Sequence, residues 1–374
     1  MPPERLTFPE PPVLERAAEL RREVREWLGP QDFEPRCDAW LGGFDPAFSR
    51  RLAARGWVGM TWPARYGGQE RSPLERHVVI EELLAAGAPV AAHWVADRQT
   101  GPMLLRYGSE RQREELLPRM ARAECFFSIG MSEPDSGSDL ASVRSTARRV
   151  EGGWLVSGTK VWTSHAHHAD YMLMLVRTSR GERKHEGLSQ LILDLGAEGV
   201  TVRPVRLLTG KHHFNEVVMR DAFVPEDMLV GEEGAGWRQV VSELAFERSG
   251  PERLLSTYPL YAELQLSAGS EPDARVAEQT GRLAARLLAL RRLSFSVAAA
   301  IAAGDAPAVE AALVKDAGTR FESEVIDVAR ASGFAGEPLR RLLREAVLSA
   351  PGFTLRGGTS EILRGVVARG LGGG

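Results

Sequence analysis

The chain has 374 residues, 43% of them hydrophobic and 26% charged, enough to bury a sizeable core and to divide into two or three domains. Its 47 Lys plus Arg are balanced by 50 Asp plus Glu, and no basic tract stands out, which argues against nucleic acid or an anionic membrane surface as a partner. The charged start (Arg5, Glu10, Glu15, Arg16), the lack of any run of about twenty apolar residues, and only two cysteines, Cys37 and Cys125, point to a cytoplasmic protein with no membrane span, disulfide framework or thiolate metal site.

In chain order, apolar residues at helical spacing over 13–28 predict a first helix that Gly29-Pro30 ends. Ser72-Pro73 supplies an N-cap and a proline at the first helical position of a second, and residues 110–120 carry a further charged amphipathic pattern. After Phe126 the pattern shifts to short β-rich runs punctuated by glycine, at 146–150, 154–156, 171–176, 191–195, 200–205 and 216–219. Helical periodicity returns at 237–246, 274–303, 306–331 and 338–348. The expected fold class is α+β, with domains at 1–126 (helical), 127–231 (β) and 232–374 (helical).

Two blocks inside the β region carry chemistry. Met131-Ser132-Glu133-Pro134-Asp135-Ser136-Gly137-Ser138-Asp139 is a turn of small and hydroxyl residues whose backbone amides can approach an anionic pyrophosphate. Lys160-Val161-Trp162-Thr163-Ser164 offers an aromatic wall with hydrogen-bonding neighbours.

Both blocks resemble the flavin cradle of acyl-CoA dehydrogenases. Pro63-Ala64-Arg65-Tyr66-Gly67-Gly68, Phe214-Asn215-Glu216-Val217, the stretch from Val230-Gly231 to Gly236-Trp237, and Gly357-Gly358-Thr359-Ser360-Glu361-Ile362 resemble further motifs of that family, in its order and over nearly the whole chain. The resemblance implies an N-terminal helical domain, a central β barrel, a C-terminal four-helix bundle that drives oligomerisation to a dimer or tetramer, and FAD at the junction of the last two. It also implies contacts to FAD from Met131, Ser132, Gly137, Ser138, Trp162, Thr163 and Ser164, with Thr359 and Glu361 near the adenosine half. The implied partners are an acyl-CoA substrate and an electron-transferring flavoprotein.

Forming an α,β-double bond requires a carboxylate to take the α-proton while a hydride leaves the β-carbon. Many family members carry that carboxylate immediately before the Gly-Thr of the C-terminal signature, where this chain has Gly357. A second lineage, including isovaleryl-CoA and long-chain dehydrogenases, places it before a buried arginine, which Leu244-Ala245-Phe246-Glu247-Arg248 matches. On a helix Glu247 lies within roughly 60 degrees of Val240 and Leu244, on the apolar stripe, where desolvation suits a carboxylate to proton abstraction. Glu247 is therefore the expected base, and the Gly357 amide the expected donor to the thioester carbonyl. Otherwise Glu247 and Arg248 form a structural pair.

His165, His167, His168, His212 and His213 fit no zinc spacing, and no metal is expected. Around 267–275 and 331–336 the chain lacks the family's inter-subunit flavin contacts. That leaves open a non-catalytic or half-active subunit of a heteromer, and, within the same fold, a flavin monooxygenase or a dehydrogenase of carrier-protein-linked acyl groups.

Overall fold

A computed structural model describes residues 6–248 and 250–372, apart from the side chains of 243–247. The chain forms two compact units by internal packing: a helical unit of Met1–Gly43, Arg71–Val90 and Leu244–Gly374, and a sheet unit of Phe44–Glu70 and Ala91–Glu243.

In the helical unit the first helix is Ala17–Leu28, starting later than its periodicity suggests, after Pro11-Pro12, with Arg16 at a cap that makes no side-chain hydrogen bond. It buries Leu20, Val24 and Leu28, and Arg21 and Arg25 reach Glu82 of helix Pro73–Ala85 at 2.5 and 2.6 Å. Pro73–Ala85 begins in a full capping box, Ser72 with Glu75, as Ser72-Pro73 predicts. Helices Tyr258–Ala268, Ala274–Ala302, Ala308–Ala331, Glu337–Phe353 and Ser360–Gly370 belong to the same unit. The first and last of these five have no counterpart in the periodicity analysis. Leu260, Leu264, Leu283, Val297, Val314, Phe321 and Val325 are buried there.

The sheet unit is built on seven strands: β1 Phe127–Gly130, β2 Thr146–Val150, β3 Gly153–Ser164, β4 Tyr171–Arg177, β5 Leu188–Asp194, β6 Val200–Val205 and β7 Phe214–Pro225. Their order is β1-β4-β2-β3-β7-β6, with β5 also paired to β4. β3 and β7 are much longer than the runs expected at 154–156 and 216–219, because each crosses an irregularity that breaks alternation. The register shifts between Val156 and Gly158 and again between Lys160 and Thr163. β1 was not apparent in the sequence: four residues are too few to show a period. Met172, Met174 and Val176 pack with Trp154, Val156, Leu191, Leu193 and Val217 on one face, while Leu173 and Ile192 join Leu104, Leu116 and Met120 from the unit's helices and Trp62 from a turn. Strands buried on both sides read as continuous apolar runs, as β4 does.

Cys37 and Cys125 are buried and free; burial pushes the Cys125 thiol up to about 12. Among the described residues no helix is long and apolar enough to cross a membrane, and no group of His, Cys, Asp and Glu could hold a metal ion.

Candidate cofactor and active site

The two blocks singled out in the β region meet in space. Val161 N donates to Ser132 O at 2.9 Å, tying the strand block to the turn block. Beneath this link the Lys160 side chain, fully buried, donates from Nζ to Met131 O (3.2 Å), Glu133 Oε1 (2.7 Å) and Leu175 O (2.6 Å). Glu133 in turn accepts from the amides of Arg144 (2.6 Å) and Ser145 (3.0 Å), the far end of the same loop. Its own backbone exchanges two hydrogen bonds with Ser136 (2.7 and 3.1 Å), and Ser136 Oγ donates to Asp139 O at 2.8 Å. Burial pulls the Glu133 carboxyl upward, but the Lys160 charge and the loop donors prevail and hold it below the usual carboxylate range. Burial pushes the Lys160 ammonium down to about 8 against the pull of Glu133. Neither residue was singled out from sequence, although a lysine between Thr159 and Val161 in a strand that buries Trp154 and Val156 was a readable signal.

Gly137 and Ser138 lie at the exposed tip of this turn, and a side chain on Gly137 would meet nothing within 4 Å. Ser132 and Met131 are half-buried, Met131 against the cluster of Val143, Leu175, Leu188 and Val240.

Trp162 sits in the β3 bulge with φ 60° and is 54% exposed, its ring 5.7 Å edge-on to Phe214. An L-residue other than Gly, Asn or Asp enters that region at a cost, and the geometry turns the indole outward between two buried neighbours, Lys160 and Thr163. Thr163 is fully buried and its Oγ1 has no hydrogen-bond partner among the described residues; Ser164 beside it is half-buried. Asn215 donates to Thr163 O at 3.0 Å and bridges His167 and His212 at 3.0 and 2.8 Å. The His167 and His212 rings stack with centroids 3.9 Å apart. Burial, then His168 and His212, push His167 down to about 4, so its ring is neutral at neutral pH.

In the helical unit Gly357 and Gly358 form a left-handed turn, φ 65° and 93°. Lys315, buried, donates from Nζ to Gly358 O at 2.9 Å. A Cβ at Gly357 would lie 2.9 Å from Arg253 Nη2, and one at Gly358 3.4 Å from Arg248 Nη2. Thr359 caps helix Ser360–Gly370, its Oγ1 accepting from Ile362 N at 3.4 Å, and Glu361 is exposed in the first turn, its carboxyl lowered by its own amide and by Thr359. Next to this turn Arg356 pairs with Asp38 (2.7 Å), donates to Ser256 Oγ (3.0 Å) and covers the Trp40 ring at 4.4 Å. Ser256 N donates to Glu322 Oε1 at 2.8 Å. Burial pushes Glu322 up to about 7, with Arg356 and Ser256 pulling the other way.

Glu247 is the last residue of helix Gly236–Glu247, and its side chain lies outside the described residues. Arg248 follows the helix end and is buried.

Models of the N-terminal, middle and C-terminal domains of acyl-CoA dehydrogenases match residues 15–124, 128–222 and 271–372. Acyl-CoA dehydrogenase IpdE1 of Mycobacterium tuberculosis is 35% identical over 78% of this chain and 78% of its own length. Acyl-CoA dehydrogenase FadE26 of the same organism is 31% identical over 95% of this chain and 92% of its own. Among solved structures, the Tcur3481-Tcur3483 steroid ACAD superposes with a TM-score of 0.86 at 28% identity, covering 98% of this chain and 99% of that one. The ChsE4-ChsE5 complex from Mycobacterium tuberculosis gives 0.80 at 29% identity, covering 96% and 97%.

Proposed function

The chain belongs to the acyl-CoA dehydrogenase family, flavoprotein oxidoreductases that act on CH–CH donors, and we propose that it carries out FAD-dependent α,β-dehydrogenation of an acyl-CoA thioester. One observation carries this reading: Ser132 and Trp162, distant in sequence, are locked together by the Val161–Ser132 hydrogen bond and the Lys160 ammonium, with the indole turned outward. An exposed indole at positive φ, a buried hydroxyl without a partner at Thr163 and a turn open at Gly137 fit a planar heteroaromatic group carrying a pyrophosphate.

In this reading Met131, Ser132, Gly137, Ser138, Trp162, Thr163 and Ser164 hold the FAD, with Thr359 and Glu361 at its adenosine half. Bound there, FAD supplies the acceptor for the hydride that leaves the substrate's β-carbon. Glu247 takes the α-proton onto its carboxylate. Position 357 supplies no base: it is glycine, its backbone is left-handed, and Arg253 lies against the point where a side chain would begin. The Gly357 amide donates to the thioester carbonyl and stabilises the enolate that forms as the proton leaves. An electron-transferring flavoprotein takes the electrons onward.

The purified chain is expected to be yellow and to bleach anaerobically with an acyl-CoA. Because one of the similar structures is titled a steroid ACAD, thioesters of steroid-derived acids belong first in the panel, ahead of branched and straight chains. Glu247→Gln is expected to keep bound flavin while slowing bleaching by about 1,000-fold. Retained activity removes Glu247 from the mechanism. A second reading, a partner subunit of a heteromer, is favoured by the two-chain titles of the similar structures and by the altered segments 267–275 and 331–336. A colourless chain that takes up flavin only alongside a paralogue would decide for it.

A further inference from the structure

Lys160 and Glu133 form a buried ion pair that makes no use of solvent: their side chains are 0% and 7% exposed, and Nζ meets Oε1 at 2.7 Å. The ammonium has three protons and three acceptors, one from each of Met131, Glu133 and Leu175, so its donors are filled. The carboxylate reaches on to the amides of Arg144 and Ser145, closing the loop that begins at Met131 into a ring. One buried charge thus fixes the start of the turn, its end and strand β4, and the residue bonded to it, Val161, carries both the link to Ser132 and the bulge that presents Trp162.

Resting on the flavin reading above, we propose that Lys160 and Glu133 are the positioning pair of the cradle: they set Ser132 and Trp162 in one fixed relation, so that flavin affinity depends on an ion pair that itself lies beneath the binding surface. Burying two charges is rarely the most stable way to fill such a space, since an apolar pair of similar volume often does as well or better. What an apolar pair cannot do is anchor one carbonyl and two amides of an irregular loop together with a carbonyl of β4, each of which must find a partner once buried. The pair therefore fixes the loop's geometry, and stability is not its main contribution.

The test separates these two roles with a single and a double variant, each titrated with FAD beside the wild type, in the complex if flavin enters only there. Amide hydrogen exchange is measured on the flavin-free proteins. Lys160→Met is expected to weaken FAD binding by about 100-fold and to speed exchange within 131–145, while β5 and β6 keep their wild-type rates. Lys160→Met with Glu133→Gln, which buries no net charge, is expected to recover the thermal midpoint of the wild type but not its FAD affinity. A double variant that binds FAD within about threefold of wild type overturns the proposal, as does faster exchange spread evenly over the whole sheet. If Lys160→Met does not fold, the double variant decides alone. Wild type that takes up no FAD in any assembly overturns the parent reading and this one with it, whereas wild type that binds FAD as well as both variants do overturns this one alone.

Discussion

Glu133 in the sheet unit and Glu322 in the helical unit are both buried glutamates, yet their carboxyls shift in opposite directions. The cause is the first neighbour. Glu133 touches an ammonium directly, at 2.7 Å, and two further amides. Glu322 is bonded to the Ser256 amide, while the Arg356 guanidinium spends its hydrogen bonds on Asp38 and the Ser256 hydroxyl. A cation one residue removed does not offset desolvation; a cation in contact does. The sheet unit therefore carries a charge that is settled at neutral pH, and the helical unit one that is poised near it.

That contrast can be broken at several points. The largest effect is expected for Lys160→Met, which strands the Glu133 carboxylate without its cation and should cost about 3–5 kcal/mol in urea unfolding at pH 7. Glu133 itself, held low, contributes at neutral pH and loses that contribution as pH falls through its unfolded value of about 4.3 and below, so the penalty of Lys160→Met should shrink in acid. The sign is opposite for Glu322. Its folded carboxyl keeps a proton up to about pH 7, so wild-type stability should fall as pH rises from about 4.3 towards 7, by up to about 3 kcal/mol, and Glu322→Gln should remove that slope. A wild type and variant with parallel pH profiles would refute the poised carboxylate.

Gly357→Ala probes the turn beside it: a side chain at φ 65° should cost about 1–2 kcal/mol in thermal or urea unfolding. The smallest effect on stability belongs to Trp162→Ala, less than about 1 kcal/mol because the indole is half in solvent. The same variant should lose FAD affinity severalfold in fluorescence titration, so stability and ligand affinity part company at this residue.

What the sequence disclosed follows the range of the forces involved. Ser72 and Glu75 are three residues apart, and a capping box between them is decided locally, so the helix start was legible. The same holds for the apolar run of β4, expected at 171–176. The family motifs pointed to Ser132, Trp162 and Gly357 by resemblance. The buried pair was not read, because Glu133 and Lys160 meet only after β3 has formed, 27 positions apart, yet a lysine at a core-facing strand position was a sign of it. Lys315 and Glu322 left a similar sign: seven positions apart, they share a buried face of Ala308–Ala331 with Ala311, Thr319 and Ile326. The bulge at Trp162 left none, since nothing in a strand's composition says where one residue too many will be inserted.

That extra residue acts as a phase shifter. Before it, even-numbered positions of β3 face the core, as Trp154, Val156 and Lys160 do; after it the odd-numbered Thr163 does. In an unbroken strand the indole would fall on the inward parity and become one more core aromatic. Shortening β3 by one residue at Val161 would restore regular alternation with Thr163 inward and the indole still outward, but would remove the amide that donates to Ser132 O and so cut the strand loose from the turn.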